Sequence, residues 1–270
     1  MEIKQKLRFI CTVALLPTLF GWNSYALEER PKDSPQRDYE IPALIYNGDM
    51  TANGDPEAIT EILDNHEVTY QLASSEEFNA MTAEDFSKFG IIIWPGGYAG
   101  YMSESLLPAT RELISKAVTE QGVGFVGFCA GAFMAVSPAA LPGEEGPAWG
   151  LGIVPDDILP YYHLEDEGTE YAMVDLKLAD QSIRSVLWWG GPILPEFPHG
   201  VIARYTDTGE PAIAETWAGK GLVVLAAPHP ESPENWRTKL GLIDADGLDQ
   251  DIAWEMFEAA LTHKPMPTLD

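Results

Sequence analysis

The stretch at 122–136, GVGFVGFCAGAFMAV, sets the reading of the whole chain. Residues 123–128 form a continuous apolar run, the pattern of a strand buried on both faces rather than one with a wet side. The run ends at Cys129, and small helix-compatible residues follow at once. A thiol on a sharp strand-to-helix turn has a mechanical need for glycine two positions away on either side, where side chains would collide. Gly127 and Gly131 occupy those positions. The helix start beneath such a turn offers unpaired N–H groups and a positive dipole end, both favourable to a thiolate and to a developing oxyanion.

Outward from this stretch, strands and helices alternate. PALIYNG (42–48) reads as a strand closed by an Asn-Gly turn. DPEAITEILDN (55–65) reads as a helix with Asp55 as N-cap and Pro56 in its first turn. EVTYQL (67–72) is a second strand, 82–89 a short helix capped by Thr82, and GIIIWPGG (90–97) a third strand cut off by Pro95. An amphipathic helix is expected over 107–122 and a last helix over 250–263. Between them, 138–185 is rich in proline, glycine and acids, while 201–231 reads as strands joined by turns at 208–209 and 219–221. Continuous apolar strands alternating with helices predict a mostly parallel sheet covered on both faces, with ligands taken at the carboxyl ends of its strands.

A cysteine nucleophile needs a base. His229 follows the apolar run GLVVLAAP, which puts it just past a strand end, on the same sheet edge as Cys129. Glu231, across Pro230, can accept the imidazole N–H and fix its tautomer. His66 and His263 are expected at helix ends on the surface, and His163 and His199 in loops. The N–H groups of Ala130 and of Gly96 or Gly97 are the candidate oxyanion donors, and Trp188, Trp189, Gly190 and Gly191 are expected to line the pocket. The acidic run at 244–251 lacks the spacing of a calcium loop and reads as a solvated turn capping the last helix. Residues 165–170 read as a surface loop, zinc has no ligand cluster, and neither metal nor cofactor is expected.

The chain begins with Lys4, Lys6 and Arg8, an apolar core from Phe9 to Trp22, and Ser24-Tyr25-Ala26, the pattern of a leader cleaved near Ala26. The core is shorter than a membrane span, so no stable membrane insertion is expected after cleavage. Residues 1–26 are therefore read as a signal peptide, 27–40 as a charged, flexible tether and 41–264 as one domain of an exported protein, periplasmic or secreted. Cys11 departs with the leader, which leaves Cys129 without an internal disulfide partner. The net charge of −26 repels nucleic acid and anionic membranes. Hydrophobic content of 46% supports a large core. A small-molecule or peptide substrate is expected; whether a protein partner exists stays open.

Pro95-Gly96-Gly97, the Cys129 elbow and His229-Pro230-Glu231 about 100 residues later together resemble the class I glutamine amidotransferase-like superfamily. ALIYNG, IIIWPGGYAGYM, GFCAGAFMA, WWGGP and AAPHPE are most similar to the amidotransferase-like domain at the N-terminus of biotin-protein ligases. The resemblance spans about residues 42–262. It implies a flavodoxin-like three-layer α/β sandwich and a Cys129–His229–Glu231 triad. Two departures stand out: Phe133 occupies the position four residues after the cysteine where amidotransferases carry a glutamine, and no ligase domain is expected beside this one. The implied activity is cysteine-dependent hydrolysis of an amide, γ-glutamyl or peptide bond, without ligase activity. The alternative is a non-catalytic binding or regulatory module of the same fold.

Overall fold

The computed structural model describes residues 37–138, 150–154 and 159–269. The expected signal peptide and most of the expected tether lie outside the described residues. The last four tether residues are docked: the Arg37 guanidinium donates to the carbonyls of Phe89 and Ser87, and the Glu40 N–H to Lys88 at 2.8 Å. Among the described residues, no helix is long and apolar enough to cross a membrane.

The elements run β1 (Ile41–Tyr46), α1 (Asp55–Asn65), β2 (Tyr70–Ala73), α2 (Ser75–Ala80), α3 (Ala83–Ser87), β3 (Phe89–Trp94), α4 (Ala99–Glu104), α5 (Pro108–Thr119), β4 (Gly124–Phe128) and α6 (Ala130–Val136). There follow α7 (His163–Asp166), β5 (Ala172–Leu178), β6 (Ile183–Trp188), β7 (Val201–Tyr205), β8 (Pro211–Ala218), β9 (Gly221–Ala226), α8 (Glu234–Leu240) and α9 (Gln250–Thr262). One sheet carries all nine strands in the order β2-β1-β3-β4-β9-β8-β7-β5-β6. From β2 to β9 every pairing is parallel, in the doubly wound order of a flavodoxin-like fold; from β9 to β6 every pairing is antiparallel. Helices α1 and α9 pack together on one face, and α3 and α5 on the other. The result is the expected three-layer sandwich.

Burial follows the apolar runs. Every residue of β3, β4 and β9 is buried, as strands covered on both faces require. Trp94, fully buried at the end of β3, stacks on Tyr46 at 4.1 Å and meets the edge of Phe78 at 5.7 Å. On the opposite face Phe128 packs edge-on to Phe257 of α9 at 5.8 Å.

The structure departs from the sequence expectations in several places. The stretch 172–188 is a hairpin, whose first strand buries Val174 and Leu176 while exposing Asp175 and Lys177. That alternation of period two marks a half-exposed strand. Helix α2 was also not expected, although Ser74 and Glu77 form a capping box at its start. Asp55 does not cap α1. Gly54 takes that position in a left-handed conformation (φ 94°), which frees the carboxylate to turn inward. His263 is buried against Trp217 at the end of α9 instead of lying on the surface. Nor is the acidic run 244–251 merely solvated. Asp249 is fully buried, and its oxygens meet Arg184 at 3.0 Å and Arg237 at 3.1 Å; Asp244 pairs with Arg237, and Asp251 with Arg184 at 2.8 Å.

Glu215 on β8 is buried and accepts the Met266 N–H at 3.1 Å, tying the segment after α9 to the sheet. Desolvation pushes its carboxyl up from the ordinary 4.5 to about 7. The folded state therefore holds a proton that the unfolded chain gives up, and stability falls as pH climbs from about 4.5 to about 7. Glu215→Gln should be more stable than wild type at pH 8, on the order of 2 kcal/mol, with the difference closing near pH 4. Urea titrations at the two pH values measure this; an equal offset at both would contradict the assignment.

Candidate active site

Cys129 sits where β4 becomes α6, with φ 46° and ψ −101°, a conformation that L-residues seldom adopt. Glycine packing holds it there. A Cβ on Gly127 would lie 2.7 Å from the backbone of Gly131, and one on Gly131 would run into the Trp94 carbonyl. The turn is thus clamped between its own helix and the end of β3. The Cys129 N–H donates to Ala226 at 2.8 Å, which extends the β4–β9 ladder by one step beyond Phe128 and Ala226.

That ladder brings the base to the thiol. His229 lies three residues beyond the end of β9, and its N–H donates to Leu187 at 2.7 Å. The His229 ring faces the Cys129 sulfur closely enough to be perturbed by it and reaches Glu231 Oε1 at 2.7 Å through Nδ1. His229 is 2% exposed, Glu231 is fully buried and Cys129 is 5% exposed, so the chain of contacts is shielded from water except at the sulfur end. Burial would push the His229 imidazolium down; the Cys129 thiol, Asp55 and the Trp189 carbonyl outweigh it and hold its pKa above the ordinary histidine value. Burial pushes the Glu231 carboxyl up, opposed by its own N–H, Asp55 and Arg237.

The other expected site residues divide. Gly97 (φ 147°), Gly190 and Cys129 line a cleft of about 450 Å³. Its remaining wall includes Tyr98, Tyr101, Phe133, Tyr161 and Glu104. Glu104 is the charged side chain among the described lining residues. Ala130 opens α6 directly beneath the sulfur. Trp189 stands at the rim, 40% exposed, and its carbonyl accepts the Cys129 S–H at 3.4 Å. Three expectations are corrected. Gly96 is not free to serve an oxyanion, because its N–H donates to Asp55 at 2.6 Å and His229 fills the space beside its Cα. Trp188 is a core residue, its indole N–H held by the Gly191 carbonyl at 3.2 Å. Gly191 packs its Cα against the Ala227 carbonyl instead of facing the cleft.

Sequence reasoning missed Asp55. It is fully buried, turned under the Pro-Gly-Gly loop and placed against His229 and Glu231. Oxygens of the two carboxylates and a ring nitrogen of His229 lie within 4.8 Å of one another. Asp55 in a helix N-terminal context looks like a cap, and only the left-handed Gly54 before it hinted otherwise. The remaining histidines stand apart: His66 stacks on Trp254 at 3.7 Å, His163 bridges Glu167 and Asp207, and His199 is exposed.

The Arg237 guanidinium braces this cluster from α8. It donates to Ser232 Oγ at 2.7 Å, next to Glu231, and pairs with Asp249 and Asp244.

No protein-family model and no curated protein sequence matches the chain. Solved structures similar to it include a glutamine amidotransferase at 19% identity and TM-score 0.47, covering 74% of this chain and 97% of that one. A glutamine amidotransferase from Methylobacillus flagellatus is similar at 14% identity and TM-score 0.47, covering 83% and 92%. The glutaminase domain of Trypanosoma brucei CTPS, with bound acivicin, is similar at 10% identity and TM-score 0.48, covering 85% and 97%.

Removing one partner of a buried ion pair leaves an uncompensated charge. Asp249→Ala should lower unfolding free energy by roughly 3 kcal/mol, measured by urea denaturation. A loss below about 0.5 kcal/mol, the level of ordinary surface substitutions, would show that the pairing with Arg237 does not support the turn at 229–232.

Proposed function

We propose that the protein is a cysteine hydrolase that cleaves an amide bond. The observation that carries this reading is the convergence of Cys129, His229 and Glu231 at the carboxyl ends of β4 and β9, with the thiol on a strained turn and open to a cleft. His229 takes the thiol proton, and the sulfur attacks the amide carbonyl. The tetrahedral oxyanion is held by the backbone N–H groups of Ala130 and Gly97. His229 returns the proton to the departing amine, and water then hydrolyses the thioester with the same imidazole as base. Glu231 keeps the ring in the tautomer that faces the sulfur and stabilises the imidazolium as it forms.

The cleft supports a substrate other than free glutamine. Phe133 packs against Tyr161 at 5.0 Å and fills the wall where amidotransferases carry a glutamine. Tyr98, Tyr101 and Tyr161 are each more than half exposed around the mouth. No lysine or arginine is among the described lining residues to meet an α-carboxylate. Such a wall suits an amide flanked by an aromatic or apolar group, with no negative charge next to the scissile bond. The resemblance of ALIYNG, IIIWPGGYAGYM, GFCAGAFMA, WWGGP and AAPHPE to the amidotransferase-like domain of biotin-protein ligases supports the same reading. The basic, apolar and small-residue pattern of residues 1–26 supports action outside the cytoplasm.

Alkylation by iodoacetamide tests the thiol without knowledge of the substrate. Near neutral pH the wild-type rate should exceed that of an ordinary thiol, and His229→Ala should slow it by about tenfold or more. A panel of neutral aromatic and aliphatic amides, alongside glutamine and γ-glutamyl amides, should show turnover that vanishes in Cys129→Ala. Equal, slow alkylation of wild type and His229→Ala would instead favour a binding module built on the same fold.

A further inference from the structure

Two carboxyl groups stand behind the imidazole where a triad needs one. Asp55 Oδ2 accepts the Gly96 N–H at 2.6 Å, and Glu231 Oε1 accepts from His229 Nδ1 at 2.7 Å. The oxygens left over, Asp55 Oδ1 and Glu231 Oε2, are buried and find no other partner among the described residues. Oxygens of the two groups lie within 4.8 Å of each other, and each acid perturbs the other's proton affinity. Both are fully buried, and two bare carboxylates this close together out of water repel strongly and leave unpartnered lone pairs. A proton between them removes both costs at once.

We propose that Asp55 is a positioning residue of this site, its carboxyl group protonated and donating to Glu231, so that one negative charge rather than two lies behind His229. This rests on the hydrolase reading for its catalytic meaning, though not for its chemistry. Placement of the proton on Asp55 follows from what faces each acid. Glu231 looks onto the His229 ring and lies in the field of Arg237 from α8, two cations or incipient cations that favour its charge. Asp55, on α1, meets the Gly96 N–H from the loop after β3, with Glu231 and His229 from the loop after β9. Burial, reinforced by Glu231, raises the Asp55 carboxyl well above its ordinary value, with His229 and the Gly96 N–H opposing.

The arrangement does two things. The hydrogen bond holds the Glu231 carboxylate by its outer oxygen while His229 holds the inner one, so the ring cannot swing from the sulfur. Asp55 also pins the Pro-Gly-Gly loop through Gly96, which fixes the neighbouring Gly97 at the cleft. One residue therefore links the base to the oxyanion side of the site.

Asp55→Asn reproduces the protonated acid, since its amide N–H can donate to Glu231 while its carbonyl accepts from Gly96. Asp55→Ala removes both bonds. The alanine variant should alkylate about tenfold more slowly than wild type at pH 7, and asparagine should restore most of that loss. The infrared difference spectrum at pH 7, wild type minus Asp55→Asn, should show one protonated carboxylic acid band, the contribution of buried Glu215 cancelling between the two proteins. Asparagine as slow as alanine, or a difference spectrum without the acid band, overturns the proposal. So does a stoichiometric metal ion in elemental analysis whose chelation slows alkylation, because the three groups would then be ligands. Should wild type and His229→Ala alkylate alike while the acid band persists, the hydrolase reading fails and the shared proton stands.

Discussion

The parallel pairing of β4 with β9 is the constraint on which the site depends. Phe128 sits opposite Ala226, and the Cys129 N–H donates to the Ala226 carbonyl, so both chains leave the sheet side by side and in register. A slip of one residue would turn Cys129 to the other face. The register is fixed because β4 and β9 are buried throughout, and each apolar side chain has a helix or core partner waiting for it. The energy that assembles the sandwich is thus the same energy that sets a sulfur beside an imidazole.

Strain and burial work together around that junction. The φ of 46° at Cys129 disfavours the turn by itself, and it persists because Gly127, Gly131 and the Trp94 carbonyl leave the backbone no other room. The polar groups brought in with it form a connected series: the imidazole beside the sulfur bonds to Glu231, Asp55 bonds to Gly96, and the proposed shared proton joins the two acids. Arg237, braced by Asp249 and Asp244, supplies positive charge from behind. Few of these groups touch water. Their low-dielectric setting makes each hydrogen bond stronger and each unpaired atom more costly.

The antiparallel half of the sheet has a different task. Strands β8, β7, β5 and β6 extend the parallel core sideways and return the chain at Trp188, whose burial anchors the loop that carries Trp189 and Gly190 to the cleft. The Trp189 carbonyl over the Cys129 sulfur is therefore set by the β5–β6 hairpin, whose last residue precedes it and which lies far along the chain from the thiol.

The parallel half and the thiol turn were legible in the amino-acid sequence because their causes are local. A continuous apolar run of six residues has few alternatives to a doubly covered strand, and glycine two positions either side of a cysteine states a steric need directly. His229 and Glu231 could be named because each follows an apolar strand at a fixed short distance. The sequence misled where a residue's partner lies far along the chain. Asp55 has the pattern of a helix cap, and Gly96 that of an open turn. Only packing of α1 under the Pro-Gly-Gly loop joins them, across 41 positions, and consumes the N–H that would otherwise face a substrate. The acidic run at 244–251 reads as solvent-facing until Arg184 and Arg237 fold over it. Local sterics and periodicity thus determined the parallel strands and the nucleophile's turn, whereas the disposition of buried charge was decided by the tertiary structure, because electrostatic partners are chosen by proximity in space and leave no period in the sequence.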